Sequence, residues 1–191
     1  RLLREIAYRN PRSSATSTYS NHMGVDTQEG RLFIQDSDGV YVVDLSEADL
    51  AMNERVSTVP FGQTVEGLMV DAQRRRLYLA TATTGVGATI TSLDLDTFAQ
   101  LSSVVMGNQI YRMAFDSTRN RLAVNTRPTG AFDSALILLD LTDLSIIDFQ
   151  LAITDGGILE VDVAVDSTAN QLLISRLDGN QPRVEIYQLP G

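Results

Sequence analysis

The sequence predicts an all-β chain made of four copies of one antiparallel sheet. Three observations carry this. Short apolar runs of strand length recur throughout, one Asp-led turn recurs after the first run of each unit, and no stretch keeps a helical period. The recurring aspartates are Asp26, Asp71, Asp116 and Asp166, spaced by 45, 45 and 50 residues. A repeat of that length fits a sheet unit that cannot bury both its faces alone.

Each unit reads in the same order. The first runs are His22-Met-Gly-Val-Asp26, Gly67-Leu-Met-Val-Asp71, Arg112-Met-Ala-Phe-Asp116 and Asp162-Val-Ala-Val-Asp166. The second runs open at Arg31, Arg76, Arg121 and Gln171. The third are Val40–Asp44, Ile90–Asp94, Leu136–Asp140 and Val184–Gln188, each followed by Leu. Fourth runs, Glu54–Val59, Gln100–Val105 and Ser145–Ile153, close three of the units. The first three runs are apolar on both faces, as strands between neighbouring sheets should be. The fourth is more polar, as expected at an outer edge.

The turns support the same reading. In Asp26-Thr-Gln-Glu-Gly30, Asp116-Ser-Thr-Arg-Asn120 and Asp166-Ser-Thr-Ala-Asn170, the Asp side chain can cap turn N–H groups. Gly or Asn four positions later tolerates positive φ. Arg75 stands at that position in the second unit, so a strained or different turn is expected there. Capping, rather than catalysis or metal binding, is therefore the expected role of the repeated Asp. Asp44, Asp94 and Asp140 should form turns in the same way.

Sheets of four strands that cover one another radially make a β-propeller. Its units are expected at 22–62, 67–107, 112–153 and 161–189, preceded by an outer strand and linker in residues 1–21. Within that leader, Leu3–Tyr8 has strand character and 10–21 read as loop. The leader strand either completes the fourth blade of a four-bladed ring or belongs to a larger one; the non-Met start and the Pro-Gly end favour a piece of a larger ring.

Composition narrows the function classes. The 191 residues are 43% hydrophobic with net charge −9 and a pI near 4.5. That balance disfavours nucleic-acid binding. The apolar runs are too short to span a bilayer as helices. Absence of Cys removes disulfides, thiolate catalysis and Cys-bound metal. All 15 basic residues are Arg, which suggests a high-GC bacterial source; the acidity suggests a periplasmic or extracellular setting.

The string Val70-Asp-Ala-Gln-Arg-Arg-Arg-Leu-Tyr-Leu-Ala, followed by Ile90-Thr-Ser-Leu-Asp-Leu-Asp, resembles the YVTN-type, lactonase-like repeat. The resemblance covers about 22 to 189. It implies a propeller of about seven blades, and a superfamily that includes surface proteins, lactonases and propeller subunits of dehydrogenases. The Trp-Asp signature of WD40 repeats is missing, since the chain has no Trp.

In propellers, ligands meet the mouth of the central channel, where inner strands begin. The candidate ligand-binding residues there are His22, Glu66, Tyr111, Arg112 and Asp162, which differ between units while the rest of the repeat is held. His22, Glu66, Arg112 and Asp162 are expected to share one register and one opening. A His, carboxylates and Arg around a channel could hold a divalent cation, though no cofactor is demanded and no motif names a catalytic residue. Asp36-Ser-Asp-Gly39 reads as a hairpin turn rather than a calcium loop, Gly85–Gly87 as a hairpin loop, and Arg74–Arg76 as a solvated or salt-bridged run. The expected function is a non-catalytic binding or scaffold module engaging a protein partner, the remaining blades or a ligand. The alternatives are a lactonase-like hydrolase using the channel mouth and a propeller subunit of a redox complex.

Overall fold

The computed structural model describes residues 22–36, 39–46, 54–58, 63–83, 87–127, 134–153, 162–178 and 181–191. Among these, every regular element is a strand. The expectations on Leu3–Tyr8 and 10–21 lie outside the described residues.

The first sheet holds β1 (Met23–Asp26), β2 (Arg31–Asp36), β3 (Gly39–Asp44) and β4 (Glu54–Thr58). The second holds β5 (Gln63–Asp71), β6 (Arg76–Thr83), β7 (Gly87–Asp94) and β8 (Gln100–Val105). The third holds β9 (Gln109–Asp116), β10 (Arg121–Arg127), β11 (Ser134–Asp140) and β12 (Ile146–Ile153). The fourth has three strands, β13 (Asp162–Asp166), β14 (Gln171–Asp178) and β15 (Gln181–Gln188). Strands lie in chain order in every sheet, so each connection is a hairpin. Asp36 pairs with Gly39 across such a hairpin, which fits the turn reading of that segment.

The chain divides into two compact units, residues 1–81 with 91–101 and residues 82–90 with 102–191. In the first, Phe33, Val40 and Val42 pack with Leu68, Leu77, Leu79, Leu93 and Leu95. A methyl group on Gly24 would stand 2.6 Å from Val70 Cγ2, so glycine there permits the close approach of the first sheet to the second. In the second unit, Ala114, Ala123, Leu136 and Leu138 pack with Val163, Leu172, Ile174 and Leu189. Outer strand β8 is largely exposed, as its polar sequence requires.

The turns follow the Asp rule. Asp26 Oδ1 accepts from Gln28 and Glu29 N–H, Asp71 from Arg74, Asp116 from Arg119, and Asp166 from Thr168 and Ala169. Gly30, Asn120 and Asn170 have φ of 64°, 55° and 57°. Arg75 keeps the same turn at φ 55° rather than adopting another. Its guanidinium bonds to Asp96 and Asp26 offset the strain. This conformation directs the turn carbonyl to a shared partner in every sheet. Gly30, Arg75, Asn120 and Asn170 O accept from Leu45, Leu95, Leu141 and Leu189 N–H at 2.8–3.0 Å. In each sheet the turn after the first strand is thereby locked to the end of the third strand.

The aspartates ending the third strands also cap turns. Ser46 N–H donates to Asp44, Asp96 and Thr97 N–H to Asp94, and Thr142 N–H to Asp140. These turns close on residues the sequence did not flag. Phe98 and Leu144 adopt φ of 57° and 63°, each four positions after its Asp. A bulky side chain in this region costs about 1–2 kcal/mol, which burial offsets; Leu144 is 1% exposed. Leu144→Gly should therefore destabilise the protein despite relieving the backbone, by about 1–3 kcal/mol. Urea unfolding of the variant checks this, and a gain in stability would show that backbone strain dominates.

Candidate functional site

The repeated aspartates do more than cap turns. In the first unit, Asp26 is fully buried. Its Oδ2 accepts from Arg31 Nη2 at 2.8 Å and from Arg75 Nη1 at 2.8 Å. Arg31 also reaches Asp96 at 3.1 Å. The first sheet is thus tied to the second by a four-residue network. In the second compact unit, within the third repeat, Asp116 accepts from Arg121 Nε at 3.2 Å. Arg121, itself 5% exposed, donates from Nη1 to Pro190 O at 2.7 Å and from Nη2 to Asn170 Oδ1. Here the third sheet is tied to the fourth. The sequence displayed the signal, an Arg opening the second strand of three units. Its partner was legible only from the ladder, where Arg31 lies opposite Asp26 and Arg121 opposite Asp116.

These contacts set the charge state. Burial pushes the Asp26 carboxyl upward, but the Arg31 and Arg75 bonds and two backbone N–H groups outweigh it and hold it below the usual carboxylate value. Asp116 is likewise held low against burial by Arg121, Ser167 and the Arg119 N–H. The Arg75 guanidinium beside Asp96 has its pKa raised. A carboxyl with a depressed folded pKa contributes stability above its unfolded value, and that contribution is lost as pH falls through the folded pKa. Unfolding free energy should therefore hold steady down to the ordinary carboxylate value of 3.8 and fall below it. The fall should be shallower in Asp116→Asn; urea titrations at stepped acid pH read both slopes.

The inner-strand starts hold the residues singled out from the sequence. His22 precedes β1 and extends its ladder: Gln35 N–H donates to His22 O at 3.1 Å. Glu66 is half-buried in β5. It lies five residues before Asp71, not four, so Gly67 occupies the register of His22, Arg112 and Asp162. Alternation puts Glu66 on the other side of the strand, equivalent to Tyr111. His22 and Glu66 belong to the first unit, and Tyr111, Arg112 and Asp162 to the second.

The second unit brings its three together. Arg112 Nε lies 3.4 Å from Asp162 Oδ1, and Arg112 Nη1 donates to Tyr111 O at 2.8 Å. Asp162 is held by its own N–H donating to Ser175 Oγ at 3.3 Å. The ladder between β9 and β10 slips here: Arg112 pairs with Asn125 and Ile110 with Thr126, so Tyr111 is the extra residue of a bulge. Bulges re-aim side chains at the ends of strands. Asn125, 1% exposed, shares a face with Arg112, and its Nδ2 has no hydrogen-bond partner among the described residues. Such a buried amide costs about 1–3 kcal/mol. Sequence reading missed Asn125 because a lone Asn in an apolar strand has no pattern; only the register sets it beside Arg112.

Chemically, this cluster offers a guanidinium, a carboxylate and an amide, suited to hydrogen-bonding a polar ligand. It holds no nucleophile paired with a base. Among the described residues, no group of three or more His, Asp or Glu could hold a metal ion. Among the described residues no helix is long and apolar enough to cross a membrane.

No family model matches the chain, and no curated protein matches it. Solved structures do. Kuenenia stuttgartiensis hydrazine synthase aligns with TM-score 0.70 at 13% identity, over 88% of this chain and 51% of that one. The Myceliophteria thermophila Cps50 (Swd1) β-propeller domain aligns with TM-score 0.61 at 15% identity, over 90% and 52%. The Dos1 propeller aligns with TM-score 0.64 at 10% identity, over 92% and 50%. The chain spans about half the length of each. At such identities the likeness shows the fold alone, and with four antiparallel sheets of three or four strands it establishes the chain as a β-propeller segment.

Proposed function

We propose that the chain is a non-catalytic β-propeller binding module of the YVTN-like kind, acting outside the cytoplasm. One observation carries this reading. The carboxylates that recur with the repeat are used in turn caps and in ion pairs with framework arginines, while three residues that vary between repeats, Tyr111, Arg112 and Asp162, gather at inner-strand starts. A fixed framework with a variable polar cluster is the arrangement of a recognition surface. Several similar structures are propeller domains or assemblies, among them the Mitotic Checkpoint Complex. A neighbour bearing an enzyme's name, hydrazine synthase, favours as second reading a propeller subunit whose chemistry lies in a partner.

A panel of polar small molecules and peptides, screened by two-dimensional NMR, tests the proposal. Binders should shift Tyr111, Arg112 and Asp162 resonances and lose about tenfold or more in affinity in Arg112→Ala, as loss of one charged hydrogen bond implies. Lactones and aryl esters should hydrolyse no faster than in buffer, with or without Ca²⁺ or Mn²⁺. Turnover abolished by His22→Ala and Glu66→Ala would replace this reading with a lactonase-like hydrolase.

A further inference from the structure

We infer that the face of the fourth sheet turned away from the third is a docking surface for a further sheet of the same repeat, one that carries an arginine to Asp166. The register makes the case. In the first sheet, the face turned to the second contains Gly24, Asp26, Arg31, Phe33, Val40 and Val42, read across the ladder pairs. The positions equivalent to these in the fourth sheet are Ala164, Asp166, Gln171, Leu173, Val184 and Ile186.

Burial at those positions depends on whether a following sheet covers them. Val40 and Val42 are 0% and 8% exposed, and Leu136 and Leu138 of the third sheet are both 0%. Val184 and Ile186 are 60% and 61% exposed. A pair of β-branched residues on one face of the third strand is suited to packing, not to water. The opposite face of the same sheet, with Val163, Leu172 and Ile174, is already buried on the third sheet. The unmet face therefore continues an interface type that the chain forms twice.

Charge specifies the partner further. Asp26 and Asp116 are buried, and each has the arginine of its own second strand. Asp71 has Arg74 at 2.9 Å. Asp166 is exposed, and Gln171 stands where Arg31 and Arg121 stand. Among the described residues no arginine reaches it; it accepts only from Thr168 and Ala169 N–H. Covering the face would bury this carboxylate, which is costly without a cation. The first unit shows how a covering sheet supplies one: Arg75, at the left-handed turn position of the second sheet, reaches back to Asp26. The partner sheet should carry Arg at that same position.

The test extends the full chain. By alignment of Gln188-Leu-Pro-Gly191 with Asp44-Leu-Ser-Glu47, a second copy of residues 48–107 joined after Gly191 would add an outer strand and then a covering sheet bearing its own Arg75. The chain has no cysteine, so Ile186→Cys gives a single thiol whose labelling rate reports exposure. In the unextended chain it should label fast; in the extended chain it should label at least about tenfold slower. Arg75→Gln in the appended copy, or Asp166→Asn, should each restore part of the rate, and the two together no more than the larger. A second extension, residues 98–156 with Asn120→Arg, presents the third sheet instead, in case the first fails to fold. Unchanged labelling in both extended chains overturns the proposal. So does protection indifferent to Arg75 and Asp166, or slow, concentration-dependent labelling of the unextended chain, which would mean that a second copy covers the face.

Discussion

Replacing Asp116 by Ala should lower the unfolding free energy by about 3–5 kcal/mol, as expected when one member of a buried ion pair is removed. The equivalent change at Asp166 should cost about 1 kcal/mol, as for a lost cap. Both aspartates occupy the same turn, and from the sequence alone both are expected to cost the smaller amount. The structure separates them. Asp116 is 1% exposed and faces Arg121, which is itself buried and bonded onward to Asn170 and Pro190. Removing the carboxylate leaves a guanidinium in a buried site with only neutral acceptors. Asp166 is exposed and holds only its own turn. Asp26, tied to Arg31 and Arg75, should behave like Asp116. Urea unfolding of the three variants gives the comparison, and equal losses at Asp116 and Asp166 would mean that the ion pair adds nothing.

Gly87→Ala should cost about 3 kcal/mol or more. Gly87 opens β7 at φ 114°, a conformation that L-residues rarely adopt. A Cβ there would lie 2.7 Å from the Gly107 carbonyl carbon and 2.8 Å from its oxygen. Backbone cannot step aside as a side chain can, because Ala88 holds both ends of that loop: Met106 N–H donates to Ala88 O at 2.8 Å and Ala88 N–H to Asn108 O at 3.0 Å. Gly30→Ala has open space and strain only from its φ of 64°, so it should cost about 1–2 kcal/mol. Thermal unfolding of both variants measures the difference; similar losses would show that the contact with Gly107 relaxes freely.

The repeat was legible because it rests on local chemistry. An Asp, a short polar turn and a Gly or Asn four positions on specify a hairpin whatever surrounds them, and the positive φ at Gly30, Asn120 and Asn170 follows from that. Arg75 shows the limit: its turn is kept by Asp26 and Asp96, residues 49 and 21 positions away. Leu144 takes the same backbone conformation because a buried apolar site waits for it, and Phe98 because it packs, half-buried, against the core of the first unit, which no turn propensity reveals. The candidate site was legible in part. Arg112 and Asp162 share a register and do meet. Glu66, five residues before Asp71, alternates onto the other face of its strand, and Asn125 is set beside Arg112 only by its strand partner.

The roles given to the repeated aspartates are tested most directly by metal-dependent thermal unfolding. Wild type, Asp26→Asn and Asp116→Asn would be melted with a chelator, and with millimolar Ca²⁺, Mn²⁺ or Zn²⁺. If these carboxylates serve turns and ion pairs with the arginines that bridge to the next sheet, both variants melt well below wild type, and neither chelator nor metal moves any of the three. A wild-type melting temperature that rises with a metal, falls with the chelator and loses both responses in the variants would show that the aspartates are ligands instead.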